Sequence, residues 1–175
     1  MRDESIRVRP ATERDVPLIL ALIRELAEYE RAPNDVVATE DALRCHLFGP
    51  WDATNARPGP AAECLIGECD GRAEGFALYF SNFSTWMGRP GLYLEDLFVR
   101  PSARGRGLGR ALLRRLARVA VERGCGRMEW AVLDWNQPAI GFYRALGATP
   151  MDEWTVFRLT GPALRALADE ARPAT

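Results

Sequence analysis

The chain contains no lysine; all 23 of its basic residues are arginine. That excludes Schiff-base chemistry on a lysine amine and a phosphate loop built on lysine. Histidine occurs once, at His46, far in sequence from the motifs below, where a surface or packing role suits it. Cysteine is sparse, and Cys45, Cys64, Cys69 and Cys125 give no Cys-x-x-Cys spacing. Neither a metal knuckle nor a redox dithiol is favoured, and no metal is expected. No apolar run approaches the roughly 20 residues of a membrane span. Met1-Arg2-Asp3-Glu4-Ser5 lacks the apolar core of a signal peptide. Free thiols without a leader suggest a reducing cytoplasm. The net charge is −1, so nothing points to nucleic acid as a bulk electrostatic partner.

What is present fits a single globular domain over 1–175, with its core over about 6–170. Ile6 to Arg9 alternates and stops at Pro10, a short strand. Thr12, with Asp15 three residues on, opens a helix that runs to about Tyr29. Thr39 caps a second, short helix through Leu47. Residues 49–60 read as a loop. Strands follow over Glu63–Glu68 and Gly75–Ser81, with Asp70-Gly71 as a hairpin turn. Asn82–Gly91 reads as an aromatic connecting loop. A strand from Leu92 to Val99 then leads through a glycine-rich loop into an amphipathic helix. That helix buries Leu108, Leu112, Leu116, Val119 and Ala120, and Arg110, Arg114 and Arg118 lie on its other side. Arg127–Leu133 is a strand, Asn136–Leu146 a capped helix, Trp154–Leu159 a last strand and Pro162–Ala171 a last helix. The order is β-αα-βββ-α-β-α-β, an α/β class.

The chemistry concentrates in Leu92–Leu113. Glycines in Arg104-Gly105-Arg106-Gly107-Leu108-Gly109 let backbone approach a phosphate, and unpaired N–H groups at a helix start point toward it. A Gly-x-Gly-x-x-Gly fingerprint fails, because the sixth position is Arg110 or Leu112. What remains is a pyrophosphate bound without lysine, as in coenzyme A. Upstream, Glu95 and Asp96 are consecutive carboxylates in an apolar strand, where burial is costly. Consecutive strand positions face opposite sides, so at most one is expected to be a working base, and Glu95 is preferred.

The loop resembles the Gln/Arg-x-x-Gly-x-Gly/Ala motif of the GNAT (GCN5-related) N-acetyltransferases, and Val99-Arg100-Pro101 before it is also typical of them. Several stretches resemble the spermidine/spermine (diamine) acetyltransferase branch: Ile6–Thr12, Glu25–Glu30, Leu92–Val99 and Trp135–Tyr143. The resemblance implies a GNAT fold, a mixed central sheet flanked by helices with a splayed strand pair. It implies acetyl-CoA as co-substrate and no metal. Backbone groups of Leu97, Phe98 and Val99 would hold the pantetheine arm and acetyl carbonyl. Residues Arg104, Gly105, Arg106, Gly107, Leu108, Gly109 and Arg110 would hold the pyrophosphate. Asn136, Gln137, Pro138 and Ala139 would flank the thiol. Tyr143 would protonate the departing thiolate, and Glu95 would accept the amine proton, directly or through water. Without the resemblance, Tyr143 reads as a core aromatic and Asn136 as a helix cap.

The chemistry asks for such groups on its own account. An amine of pKa near 10.4 is about one part in 10³ neutral at pH 7, a penalty of roughly 4 to 5 kcal/mol that a carboxylate base removes. The resemblance further implies a small cationic amine as substrate: a diamine, a polyamine or a thialysine-like amino acid. Tyr29, Glu30, Trp86, Glu95, Asp96 and Glu153 would surround it. Asn82-Phe83-Ser84-Thr85 lacks the acidic residue of polyamine-acetylating relatives, and residues 148–153 are shorter than there, which counts against long polyamines and leaves a smaller amine or amino acid on at least equal footing. Two alternatives stand beside it: acetylation of a protein or peptide amine, and a non-catalytic acyl-CoA sensor. Relatives in the branch imply a homodimer, with the segment from Trp154 onward contributing.

Overall fold

The computed structural model describes residues 5–49 and 59–170; the expected loop over 49–60 falls mostly outside them. The chain divides into two compact units, Met1–Ala131 and Val132–Thr175. The first unit holds five strands in the order β1 (Ile6–Pro10), β2 (Glu63–Cys69), β3 (Arg72–Ser84), β4 (Arg89–Val99) and β5 (Met128–Trp130). The first three pairings are antiparallel and β4–β5 is parallel. Its helices are α1 (Val16–Tyr29), α2 (Glu40–Phe48) and α3 (Leu108–Glu122). The second unit holds α4 (Gln137–Ala145) and α5 (Gly161–Asp169).

Local sequence accounts for most element ends. A single 3-10 turn at Glu13–Asp15 precedes α1, and Thr12 and Asp15 form a capping box. The Asp15 carboxylate also takes a bidentate grip from Arg9, at 2.8 Å to each oxygen. Arg9 and the Thr12 backbone hold its pKa well below the usual carboxylate range, Arg9 acting most strongly. Thr39 Oγ1 accepts from the Ala42 N–H and so starts α2. Asp70 and Gly71 both take positive φ, 51° and 76°, as a two-residue hairpin turn demands.

The sheet is covered on both faces. On one, Ile19, Leu22 and Leu26 of α1 and Leu47 of α2 cluster with Cys64, Ile66, Phe76 and Phe98. On the other lies α3. Gly67 is the close approach there, since a Cβ on it would stand 2.9 Å from Leu108 Cδ1 and 3.2 Å from Leu112 Cδ1. Leu108, Leu112, Leu116, Val119 and Ala120 are buried as their spacing requires. Cys64 and Cys69 are buried free thiols. Burial pushes the Cys64 thiol up to about 12, with smaller contributions from Asp15 and Asp96.

Three expectations change. Asn82–Gly91 is not a loop, because β3 runs to Ser84 and β4 starts at Arg89. Only Thr85–Gly88 turns, and buried Ser84 anchors it by accepting from the Met87 N–H and from Arg127 Nη1. The strand over 127–133 shortens to Met128–Trp130. Trp154–Leu159 forms no strand. Trp154, Val156 and Phe157 are exposed, and among the described residues no strand pairs with them. Alternating apolar residues make a strand only where a ladder partner exists.

Gly75 is buried, and a Cβ on it would stand 2.5 Å from the Phe98 carbonyl oxygen. Gly75→Ala should therefore lower stability by about 1–3 kcal/mol, read as an earlier urea midpoint at unchanged slope.

Candidate active site

Strand β4 changes face part-way along. Tyr79 pairs with Leu94 but Leu78 pairs with Asp96, so Glu95 is one residue too many for the ladder. This is a β-bulge, and it resets which side chains point where. Before it, Leu94 stands opposite Tyr79 and is fully buried. After it, Asp96 and Phe98 stand opposite Leu78 and Phe76, the face that packs on α1 and α2. Glu95 itself is exposed, while Asp96 is partly buried. The alternation rule that set these two carboxylates on opposite faces therefore applies only on either side of the irregularity.

The same strand loses its second partner at the same point. The ladder to β5 joins Leu92 to Met128, Tyr93 to Glu129 and Leu94 to Trp130, and goes no further. From Glu95 to Val99 no strand pairs with β4 on that side among the described residues. Backbone N–H and C=O groups of Leu97, Phe98 and Val99 lie in this stretch. Such an edge can take main-chain hydrogen bonds from a ligand that runs along it. The ladder ends where the fold's expected splay would begin.

Asp96 sits in an electronegative setting. Burial raises its pKa to about 6, and the charges of Glu95 and Glu30 push the same way. Glu30, just past the end of α1, is itself raised by desolvation. Three of the expected acceptor-binding residues are thus gathered at one end of β4. Tyr29 is placed with them through Arg104. The Arg104 guanidinium lies 4.5 Å from the centre of the Tyr29 ring and 5.8 Å from that of Phe98, and its Nε donates to the Val99 carbonyl at 2.9 Å. Trp86 stands apart, 90% exposed in the β3–β4 turn.

After β4, the chain makes one 3-10 turn, Pro101–Ala103, and enters the glycine loop. Arg100 fixes that exit. Its side chain donates to both oxygens of Glu25 at 2.7 and 2.8 Å and to the Ala73 carbonyl at 3.0 Å. Gly105 and Gly107 take φ of 76° and 91°, a left-handed backbone that a side chain would strain. Gly107 is the N-cap of α3, so no side-chain oxygen serves the N–H groups of Leu108, Gly109 and Arg110. The first turn holds no acidic residue either. A helix start bare of both cap and carboxylate is suited to an external anion. The Arg106 side chain is held by Asp70 at 2.5 Å, and Arg104 by Tyr29 and Val99 as above. The loop thus offers its backbone, while two of its arginines shape it.

In the second unit, Asn136 caps α4, its Oδ1 accepting from the Ala139 N–H at 3.4 Å. Asn136 is buried, and Gln137 Nε2 donates to the Asp134 carbonyl. Pro138 occupies the first turn, where its missing N–H costs nothing. Tyr143 lies in the second half of α4, its ring centre 5.4 Å from that of Phe142. Glu153 is exposed before the uncapped start of α5.

No group of three or more metal-binding side chains occurs among the described residues, and no described helix is long and apolar enough to cross a membrane. Sequence reasoning missed the bulge at Glu95 and the seat of the Arg104 side chain. The nearest signal of the first was the pair of carboxylates interrupting an apolar strand.

The chain matches the Acetyltransferase (GNAT) family over residues 22–148. It is 41% identical to the thialysine N-epsilon-acetyltransferase of Bos taurus, covering 93% of this chain and 97% of that protein. It is 34% identical to an L-ornithine N5-acetyltransferase of Arabidopsis thaliana, covering 92% and 87%. An integron cassette protein from the mobile metagenome of V. cholerae superposes with a TM-score of 0.73 at 26% identity, over 94% of this chain and 98% of that one. Glycine loop, five-stranded mixed sheet and these matches agree, and the chain belongs to the GNAT family as an N-acetyltransferase.

Proposed function

We propose that the protein transfers the acetyl group of acetyl-CoA to a primary amine of a small cationic substrate, of the thialysine, ornithine or diamine type. The observation that carries this reading is the gathering of Glu30, Glu95 and Asp96 at the bulged, half-unpaired end of β4, one short loop before an uncapped helix start. The names of the relatives support the substrate class, since thialysine and ornithine each bear a side-chain ammonium. A polyamine-type acceptor is supported more weakly, by a 32% identical spermidine/spermine N(1)-acetyltransferase-like protein of Homo sapiens.

In this reading the coenzyme pyrophosphate binds the N–H groups from Gly105 to Arg110, and the pantetheine arm runs along Leu97–Val99. The acceptor arrives as an ammonium and is drawn to the carboxylates. Glu95, exposed and unconstrained by the ladder, takes the amine proton, directly or through water. The neutral amine attacks the thioester carbonyl. The C–N bond forms, the C–S bond breaks, and the leaving thiolate takes a proton from Tyr143. A phenol is still protonated at pH 7, and a thiol of pKa about 8.5 leaves readily with such a donor. Asn136, Gln137, Pro138 and Ala139 flank the thiol, and Tyr29 and Glu153 complete the acceptor's surroundings, while Trp86, in the β3–β4 turn, has no part in them. The protein works as a cytoplasmic homodimer. No step calls for a metal or a covalent intermediate.

The test is thiol release from acetyl-CoA across a panel of thialysine, ornithine, diamines, spermidine and lysine-containing peptides. Turnover should be fastest with the small amino acids and diamines. Preference for peptides would overturn the substrate class. Coenzyme binding without thiol release from any amine would leave a sensor instead of an enzyme. Glu95→Gln should lower kcat by about 10²-fold or more and leave the acetyl-CoA KM in place. Tyr143→Phe should lower kcat as well; unchanged turnover would remove Tyr143 from the role of acid.

Asp96 makes a separate, thermodynamic prediction. Its folded-state pKa is raised, so the folded protein holds the proton more tightly than the unfolded chain between about pH 4 and pH 6. Stability therefore falls as pH rises through that window, and the cost persists above it. Asp96→Asn should stabilise the protein by about 1–3 kcal/mol at pH 7.5, and the gain should vanish below about pH 4. Denaturant unfolding at both pH values measures it.

A further inference from the structure

Beside strand β1, on the face of the sheet that α3 covers, lies an open groove of about 380 Å³. Its apolar part is Ile6, Val8 and Ala111; its polar part is Arg110, Arg114, Arg115 and Arg118. Four guanidiniums and, among the described residues, no carboxylate line one groove, in a protein whose net charge is −1. Arg115 has a partner in Glu122, at 3.5 Å. Arg110, Arg114 and Arg118 have no carboxylate partner among the described residues.

This arrangement works against the helix that carries it. Residues 108–121 contain no acidic side chain. Arg110, Arg114 and Arg118 follow one another at i,i+4, where like charges repel. Their spacing along the axis is about 6 Å, one step of four residues. Arg110 also stands in the first turn, at the positive end of the helix dipole. A multiply charged anion would relieve all of these at once. Successive guanidiniums would each take a phosphate group, by the paired N–H donors that arginine presents. Ile6, Val8 and Ala111 would receive a flat apolar group that the phosphates carry. The volume lies in the range of small-molecule sites, about 300–1,000 Å³, which suits one compact ligand rather than a polymer.

We propose that this groove binds a nucleoside polyphosphate, with the phosphates on Arg114 and Arg118 and the base against Ile6, Val8 and Ala111. The site lies beyond the glycine loop and touches it only at Gly107 and Arg110, so the acetyl-transfer reading can fail without it.

The test is titration calorimetry of the full chain with ATP and with inorganic tripolyphosphate, at 150 mM salt. ATP should bind saturably at one site per chain, about tenfold more tightly than tripolyphosphate. R114E/R118E should weaken ATP at least tenfold and leave the acetyl-CoA KM within twofold. Arg114→Gln with Arg118→Gln removes the charge while keeping good helix formers, and should weaken ATP in the same direction. Absence of saturable ATP binding at 1 mM would overturn the proposal, as would binding that survives both double variants. Equal affinity for tripolyphosphate would remove the base from its assigned seat. A rise in acetyl-CoA KM parallel to the loss of ATP would make the groove part of the coenzyme's own site, and would overturn it too.

Discussion

The register shift at Glu95 is the constraint on which the arrangement of the first unit rests. A strand with strict alternation would send Leu94 and Phe98 to the same face. Here Leu94 stands opposite Tyr79, while Phe98 joins the cluster of α1 and α2. One inserted residue lets a single strand serve two cores. It also brings Asp96 round to the α1 side, near Glu30, and leaves Glu95 outside the ladder. The end of pairing to β5 falls at Leu94, immediately before the extra residue. The irregularity on one edge of β4 and the end of the ladder on the other thus fall at the same place in the strand.

Absence of lysine gives the protein's charge pairs a common form. Arg9 grips Asp15, and Arg100 and Arg123 grip Glu25 and Glu63, each by two hydrogen bonds. Forked donors fix orientation as well as distance, which an ammonium does not. Arg100 shows the use of this. It ties the end of β4 to α1 and to the Ala73 carbonyl, and the next residues are the anion loop. Arg104 extends the tie, because a planar cation can stack on Tyr29 while donating to Val99. The loop that would hold the coenzyme and the helix end that would meet the acceptor are therefore joined by one side chain.

Local features were legible in the sequence and non-local ones were not. The caps at Thr12 and Thr39, the Asp70-Gly71 turn, the buried face of α3 and the glycine loop before it all depend on a few neighbouring residues. The family resemblance rests on short local stretches of the same kind, the glycine loop among them, and the family match agrees with it. The bulge is a relation between β3 and β4, and no window within β4 contains it. Asn82–Gly91 looked like a loop because of its glycines, asparagine and proline. Its arms are strand because Ser84 and Arg89 are in register, with Pro90 near the strand's first residue. Trp154–Leu159 differs the other way, its alternation being a strand pattern that finds no ladder among the described residues.

Asp96 shows why such a site is not built for stability. A carboxyl pushed to about 6 by burial and by two like charges is a local loss at neutral pH. Replacing it by a neutral group of the same shape would remove that loss. The cost is carried by the rest of β4, where Leu92, Leu94 and Phe98 are almost fully buried. A cationic ligand removes the cost in another way, by bringing the countercharge that the fold withholds. The free protein thus carries at this end of β4 an electrostatic cost that any cation bound there would relieve. The share of a cation's affinity that comes from this countercharge would equal the cost it relieves, read from the other side of one equilibrium.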